Sequence, residues 1–207
     1  MPNFDPLITP KKKCSDWRTL QAKLIAGGNP TLWREAANDY FFARLDSRYL
    51  TPIKILDEHG QQEGEGFSIV AIQCSLIEFL EATVEGKNYR YKGKNPSLGS
   101  FEYSNSGDLF VNFLTARSPF AQDFDKATAT SFYKDVRCGL LHEAQTKNGW
   151  RIHATQASTV VDGSQKIVYR RVFQTALRKF IDQYMKDLQA EKDRQAAFIR
   201  KFHYICT

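Results

Sequence analysis

The eighteen residues from Phe67 to Val84 restrict the choice of fold more than any other stretch of this chain. Ile, Leu, Phe and Val recur there with little polar interruption beyond Glu78 and Glu81, with Glu85 just past the end. Part of the run would suit a strand by alternation, but its length favours a helix. A helix that is apolar nearly all round belongs at the centre of a domain, covered by other elements on most sides. Its three glutamates read as a solvated or ion-paired stripe.

The flanking sequence supplies partners with the same period. Asn29-Pro30 is an N-cap followed by proline at the first helical position, and Leu32, Ala36, Tyr40, Ala43 and Tyr49 continue at helical spacing to about residue 50. Thr51-Pro52 then either kinks this helix or starts another through Leu56. Ser106 to Ala116 predicts a short helix burying Leu109, Phe110, Phe113 and Leu114. Val172, Phe173, Ala176, Leu177, Phe180, Ile181, Tyr184 and Leu188 mark a long amphipathic helix, whose opposite face carries Arg170, Arg171, Arg178, Lys179 and Lys186. The periodicity extends through Phe198 and Phe202, as one helix or as a separate one. Between residues 150 and 169 the period changes to two. Residues 150–154 and 165–169 predict strands joined through Asp162-Gly163, a small hairpin on an otherwise helical protein. The expected class is all-α.

Residues 1–28 read as an N-terminal arm, loose and basic through Lys11-Lys12-Lys13, followed by a short helix with Trp17, Leu20 and Leu24 on one side. Residues 29–207 read as a single domain. A hydrophobic content of 42% with 15 Phe and 9 Tyr is that of a globular chain. No apolar run is expected to span a membrane, and Met1-Pro2-Asn3-Phe4-Asp5 lacks a signal-type hydrophobic region. Cys14, Cys74, Cys138 and Cys206 are scattered without CxxC or metal-ligand spacing, which fits reduced thiols in a cytoplasmic protein. His59, His142, His153 and His203 are not spaced as ligands of one local metal site. No Gly-rich phosphate loop and no Gly-x-Ser-x-Gly elbow is present. Neither a metal nor a cofactor is expected.

Two stretches carry candidate chemistry. The first, Phe132 to Trp150, predicts the last turns of a helix stopped by Asn148-Gly149. It bears Arg137 and, five residues on, His142. Five steps of about 100° separate their side chains by roughly 140°, so the two cooperate either at a helix end or across two copies of the chain. Arginine, four residues and histidine, late in a helix with an apolar Leu140-Leu141 flank and helices on both sides, resembles the HEPN superfamily of small helical RNases and nucleotide-binding domains. The resemblance implies a HEPN-like bundle over residues 29–207 and a homodimer that brings both Arg137/His142 pairs to one cleft. It further implies metal-independent RNA cleavage leaving a 2′,3′-cyclic phosphate. By the same analogy such proteins serve as toxins or antiphage-defence effectors beside a cognate antitoxin or regulatory protein. Family nucleases carry Asn, Asp or His directly after the arginine, whereas this chain has Cys138.

The second stretch is the long loop over residues 86–107. Tyr89, Arg90, Tyr91, Lys92 and Lys94 alternate rings with cations, as a single-stranded nucleic-acid platform does when bases stack and phosphates are held beside them. A net charge of +6 tilts the chain mildly toward anionic partners such as RNA. A non-catalytic binder of nucleic acid or nucleotide, and a subunit whose apolar helices pair with another protein, are the competing expectations.

Overall fold

The computed structural model describes residues 4–61, 63–91 and 97–207. Helix makes up 67% and strand 9%, which places the chain in the all-α class. The residues cluster into two compact units. One draws on Met1–Thr51, Ala82–Ser104 and Gln183–Thr207, the other on Pro52–Glu81 and Asn105–Asp182.

In the first unit, β1 (Leu7–Thr9) and β2 (Lys12–Lys13) form an antiparallel ribbon ahead of α1 (Cys14–Gly27). The loose arm expected over residues 1–13 is therefore tied down from Leu7 onward. Ile8 is only 1% exposed, and the Arg44 guanidinium donates to its carbonyl at 2.8 Å. One buried isoleucine inside a charged stretch is too weak a pattern to reveal a strand. The helical run α2 (residues 30–59) starts where predicted, with the Asn29 side chain accepting from the Thr31 and Leu32 N–H groups at 3.0 Å each. It passes through Pro52 without stopping. The turn just before the proline is widened, the Thr51 N–H closing on the Asp46 carbonyl five residues back, and such a turn absorbs the bond and space that proline disturbs. Trp17 is the hub of this unit, with Tyr40, Phe198 and Phe202 ring centroids 5.4, 5.7 and 5.3 Å away respectively. Phe198 and Phe202 lie on α7 (Lys192–Ile205), which is separate from α6 (Arg170–Ala190).

Between α2 and α6 in sequence come α3 (Glu65–Glu85), β3 (Asn88–Tyr89), β4 (Glu102–Tyr103), α4 (Ser106–Ala116), α5 (residues 126–143), and the strands β5 (Arg151–His153), β6 (Val161–Asp162) and β7 (Ile167–Tyr169). The second unit is built on aromatic packing. Phe132 of α5 meets Phe124, Trp150 and Phe173 at 5.5, 5.5 and 5.9 Å, and the Trp150 indole N–H donates to the Ser131 hydroxyl. On α4 the four predicted core residues Leu109, Phe110, Phe113 and Leu114 are buried.

The expected two-stranded hairpin is corrected to a three-stranded sheet, ordered β5-β7-β6. Asp162-Gly163 turns β6 into β7, antiparallel, with the Asp162 carboxylate accepting from the Ser164 hydroxyl and the Gln165 N–H. The Trp150 segment supplies β5, which runs parallel to β7. A tight turn can join only antiparallel neighbours, and β6 has two residues, too few to show alternation. Arg170, expected on the polar face of α6, is buried, its charge met by Glu65 at 3.2 Å and Asp57 at 3.3 Å.

α3 spans the apolar run as predicted and is, among the described residues, long and apolar enough to cross a membrane. In this structure 61% of that apolar window is buried within the protein, the condition of a core helix.

Candidate functional site

Asp125 starts α5. Its carboxylate accepts from the Thr128 N–H at 2.7 Å, and these bonds to the cap hold the carboxyl below the usual range. Over Phe132–Arg137 the helix widens, the Cys138 N–H closing on the Tyr133 carbonyl five residues back. Wide turns of this kind recur at functional positions in helices. The helix then ends at Glu143, with Ala144 left-handed at φ 55°.

This end comes earlier than the Asn148-Gly149 stop that was expected. The residue that permits it is Gly139. After Ala144 the chain folds back over the helix, so that a Cβ at Gly139 would stand 2.6 Å from the Gln145 carbonyl oxygen. The Lys147 N–H also returns to the Asp135 carbonyl at 2.8 Å. Asn148 and Gly149 both have positive φ but belong to the following turn. A mid-helix glycine gives little warning that a later segment will lie against it.

Arg137 is largely buried, its side chain 20% exposed, and Nη2 lies 3.4 Å from Glu78 Oε2. Its guanidinium carbon is 5.5 Å from the Tyr133 ring centroid. Glu78 also accepts from the Ser106 hydroxyl at 2.7 Å, so a hydroxyl, a carboxylate and a guanidinium follow one another from α4 through α3 to α5. Burial pushes the Tyr133 phenol above its ordinary range, against the pull of the Arg137 charge. The arginine's partner is thus Glu78 on α3, not the nearby carboxylates Asp135 and Glu143 of its own helix. Asp135 accepts from Ser131 and Asn148, and Glu143 pairs with Lys147 at 3.1 Å. Sequence separation hid Glu78, which lies on another helix.

His142 stands exposed in the last turn of α5, beside the exposed Leu141. Arg137 and His142 do not form a pair within one chain: the first is turned onto Glu78 and Tyr133, the second faces solvent. Cys138, half-buried, separates the widened turn from the final one.

The loop expected over residues 86–107 ends earlier, at the start of α4, and its part in the first unit is tied by β3 and β4, which pair in parallel with Tyr89 opposite Tyr103. The Tyr89 and Tyr103 rings meet edge to face at 5.6 Å. Arg90 is bound at 3.1 and 3.0 Å to the two carboxylate oxygens of Glu102, and that carboxyl is held below its usual range by the Gly99 N–H and by Arg90. Tyr91 is 80% exposed. Lys92 and Lys94 lie outside the described residues. Three residues of this surface escaped the sequence reading: the half-exposed Phe101, Arg200 stacked 3.9 Å over its ring, and Tyr204, whose hydroxyl donates to the Tyr89 carbonyl at 3.1 Å. Arg200 and Tyr204 are four apart on α7, a spacing that marks a shared face but not which loop meets it.

Among the described residues no three His, Cys, Asp or Glu side chains stand close enough together to hold a metal ion. Comparison of the chain with protein-family models, curated proteins and solved structures found no match.

Proposed function

We propose that this chain is a metal-independent endoribonuclease of HEPN type, cytoplasmic, acting as a homodimer in which two Arg137/His142 sets share one phosphate-handling cleft. The observation that supports this reading is the division of labour along α5. A largely buried guanidinium, steadied by Glu78 and Tyr133, lies five residues before an imidazole left open at the helix end. The chemistry follows from the side chains. A neutral imidazole takes the proton of a ribose 2′-hydroxyl as that oxygen attacks the adjacent phosphorus. The P–O5′ bond breaks, and an imidazolium returns a proton to the leaving 5′ oxygen. Arg137 offers its planar fork to the phosphate oxygens as charge builds on them. A toxin or antiphage effector, kept in check by an antitoxin or regulatory protein, is the biological setting proposed for such an activity.

The test is cleavage of structured and single-stranded RNA by purified protein. The expected result is cleavage lost in both Arg137→Ala and His142→Ala, and loss in neither abandons the reading.

Two observations favour a second reading. Glu78 already occupies Arg137, and Cys138 stands where HEPN nucleases carry a polar residue. On this reading the chain binds RNA without cutting it, through the surface of Tyr89, Tyr91, Phe101 and Tyr204. Salt-sensitive binding with no product at any enzyme concentration would select it.

A further inference from the structure

We propose that the ridge formed by Lys126, Thr130 and Lys134 is the track along which an RNA backbone approaches Arg137 and His142. The inference rests on the reading of the chain as an RNA-acting protein. These three residues, spaced by four along α5, line both of two adjoining cavities of ≈ 530 and ≈ 610 Å³. They therefore form the crest between two grooves, and the crest continues directly into the turn that holds Arg137.

Charge distinguishes this crest from three other cations of the unit, which are paired. Arg117 is bound to Glu81, Arg137 to Glu78 and Lys147 to Glu143. Lys126 and Lys134 are exposed and, among the described residues, have no carboxylate within ion-pair distance. The two acids in the grooves accept from neutral donors of the same walls and pair with neither lysine of the crest: Asp108 from the Asn105 amide at 2.8 Å, Asp135 from Ser131 and Asn148. A third ammonium, that of Lys166, donates to the Asn148 carbonyl at 2.8 Å and so borders the second groove. Eight residues of helix set Lys126 and Lys134 about 12 Å apart along the axis. A single strand carries several phosphates over that span.

The experiment uses the full chain carrying His142→Ala, which leaves the probe intact, and a 5′-labelled single-stranded oligoribonucleotide followed by fluorescence anisotropy across a salt series. Adding Lys126→Gln and Lys134→Gln, both at exposed positions, is expected to lower the slope of log Kd against log salt by about 1.4, two contacts at about 0.7 each on a single strand. The charge-matched pair Lys23→Gln and Lys186→Gln is expected to leave that slope unchanged. An unaltered slope in the first pair, or an equal fall in the second, overturns the track. Displacement of the probe by polyglutamate as readily as by unlabelled RNA also overturns it, in favour of an acidic protein partner. The nuclease reading fails separately. Cleavage by the His142-intact chain with an unaltered slope refutes the track alone. A lowered slope with no cleavage refutes the nuclease alone, and a probe that never binds refutes both.

Discussion

Arg117 closes a two-point clasp on Glu81, Nε on one carboxylate oxygen at 2.9 Å and Nη2 on the other at 2.8 Å. Glu81 has no exposed surface. A fully buried carboxylate late in the apolar helix α3 is tolerated because a forked cation reaches it from the end of α4, with the Asn112 amide as a further donor. Of the two expectations for the glutamate stripe of α3, solvated or ion-paired, the second holds. Glu81 is locked to Arg117, Glu78 to Arg137 and Glu85 to Lys87.

The clasp makes an asymmetric prediction. Arg117→Ala strands a buried carboxylate, and its cost is expected near the upper end of the range of about 3–5 kcal/mol for a broken buried pair. Glu81→Ala leaves behind an arginine that already touches water, so its cost should fall at or below the lower end. Urea denaturation of the two variants measures the difference, and equal costs would show that the clasp is not what shelters the acid.

Glu78 is expected to act as a positioning residue for Arg137. Glu78→Gln keeps an acceptor for the guanidinium but removes the charge, and should lower RNA cleavage by about ten- to a hundredfold through a misplaced arginine. Its stability should change by no more than about 1 kcal/mol, since both partners are partly exposed. Parallel loss of cleavage in Glu78→Gln and Arg137→Ala, with thermal midpoints near wild type, is the supporting pattern. Wild-type cleavage by Glu78→Gln would make the pair merely structural.

Gly139→Ala is expected to destabilise the protein by about 1–3 kcal/mol, because its Cβ would meet a backbone oxygen rather than a side chain able to swing away. The same change at Gly149, at φ 83° in the following turn, strains a local turn and leaves the helix end intact. Thermal melts separate the two. Fluorescence quenching of Trp150, packed on Phe132, reports whether the return segment has lifted.

Asp125 supplies a pH dependence. Its carboxyl is lowered in the folded chain, so its cap contributes stability above the unfolded value of about 4. That contribution disappears as pH falls through the lowered folded value. Asp125→Asn, which preserves an N-cap acceptor, is expected to flatten this acid limb. Denaturant midpoints of wild type and variant should therefore differ at pH 6 and converge toward pH 3. A constant gap across that range would remove Asp125 from the acid response.

What the sequence determined on its own was the local and periodic part of this protein. The Phe67 run, the Asn29-Pro30 start, the Ser106 helix with its four core residues and the long helix of Phe173 and Phe180 each carry their signal within one continuous stretch of sequence, because helix hydrogen bonds and helix faces close over three and four positions. The tertiary structure decided everything that depends on partners far apart in the chain. Glu78 reaches Arg137 across 59 residues and Tyr204 reaches Tyr89 across 115. β5 joins β7 in parallel, and Gly139 ends a helix by giving room to a segment that has yet to follow it. Such contacts leave no period in the sequence, since their geometry is set by packing between elements and not by the spacing within one.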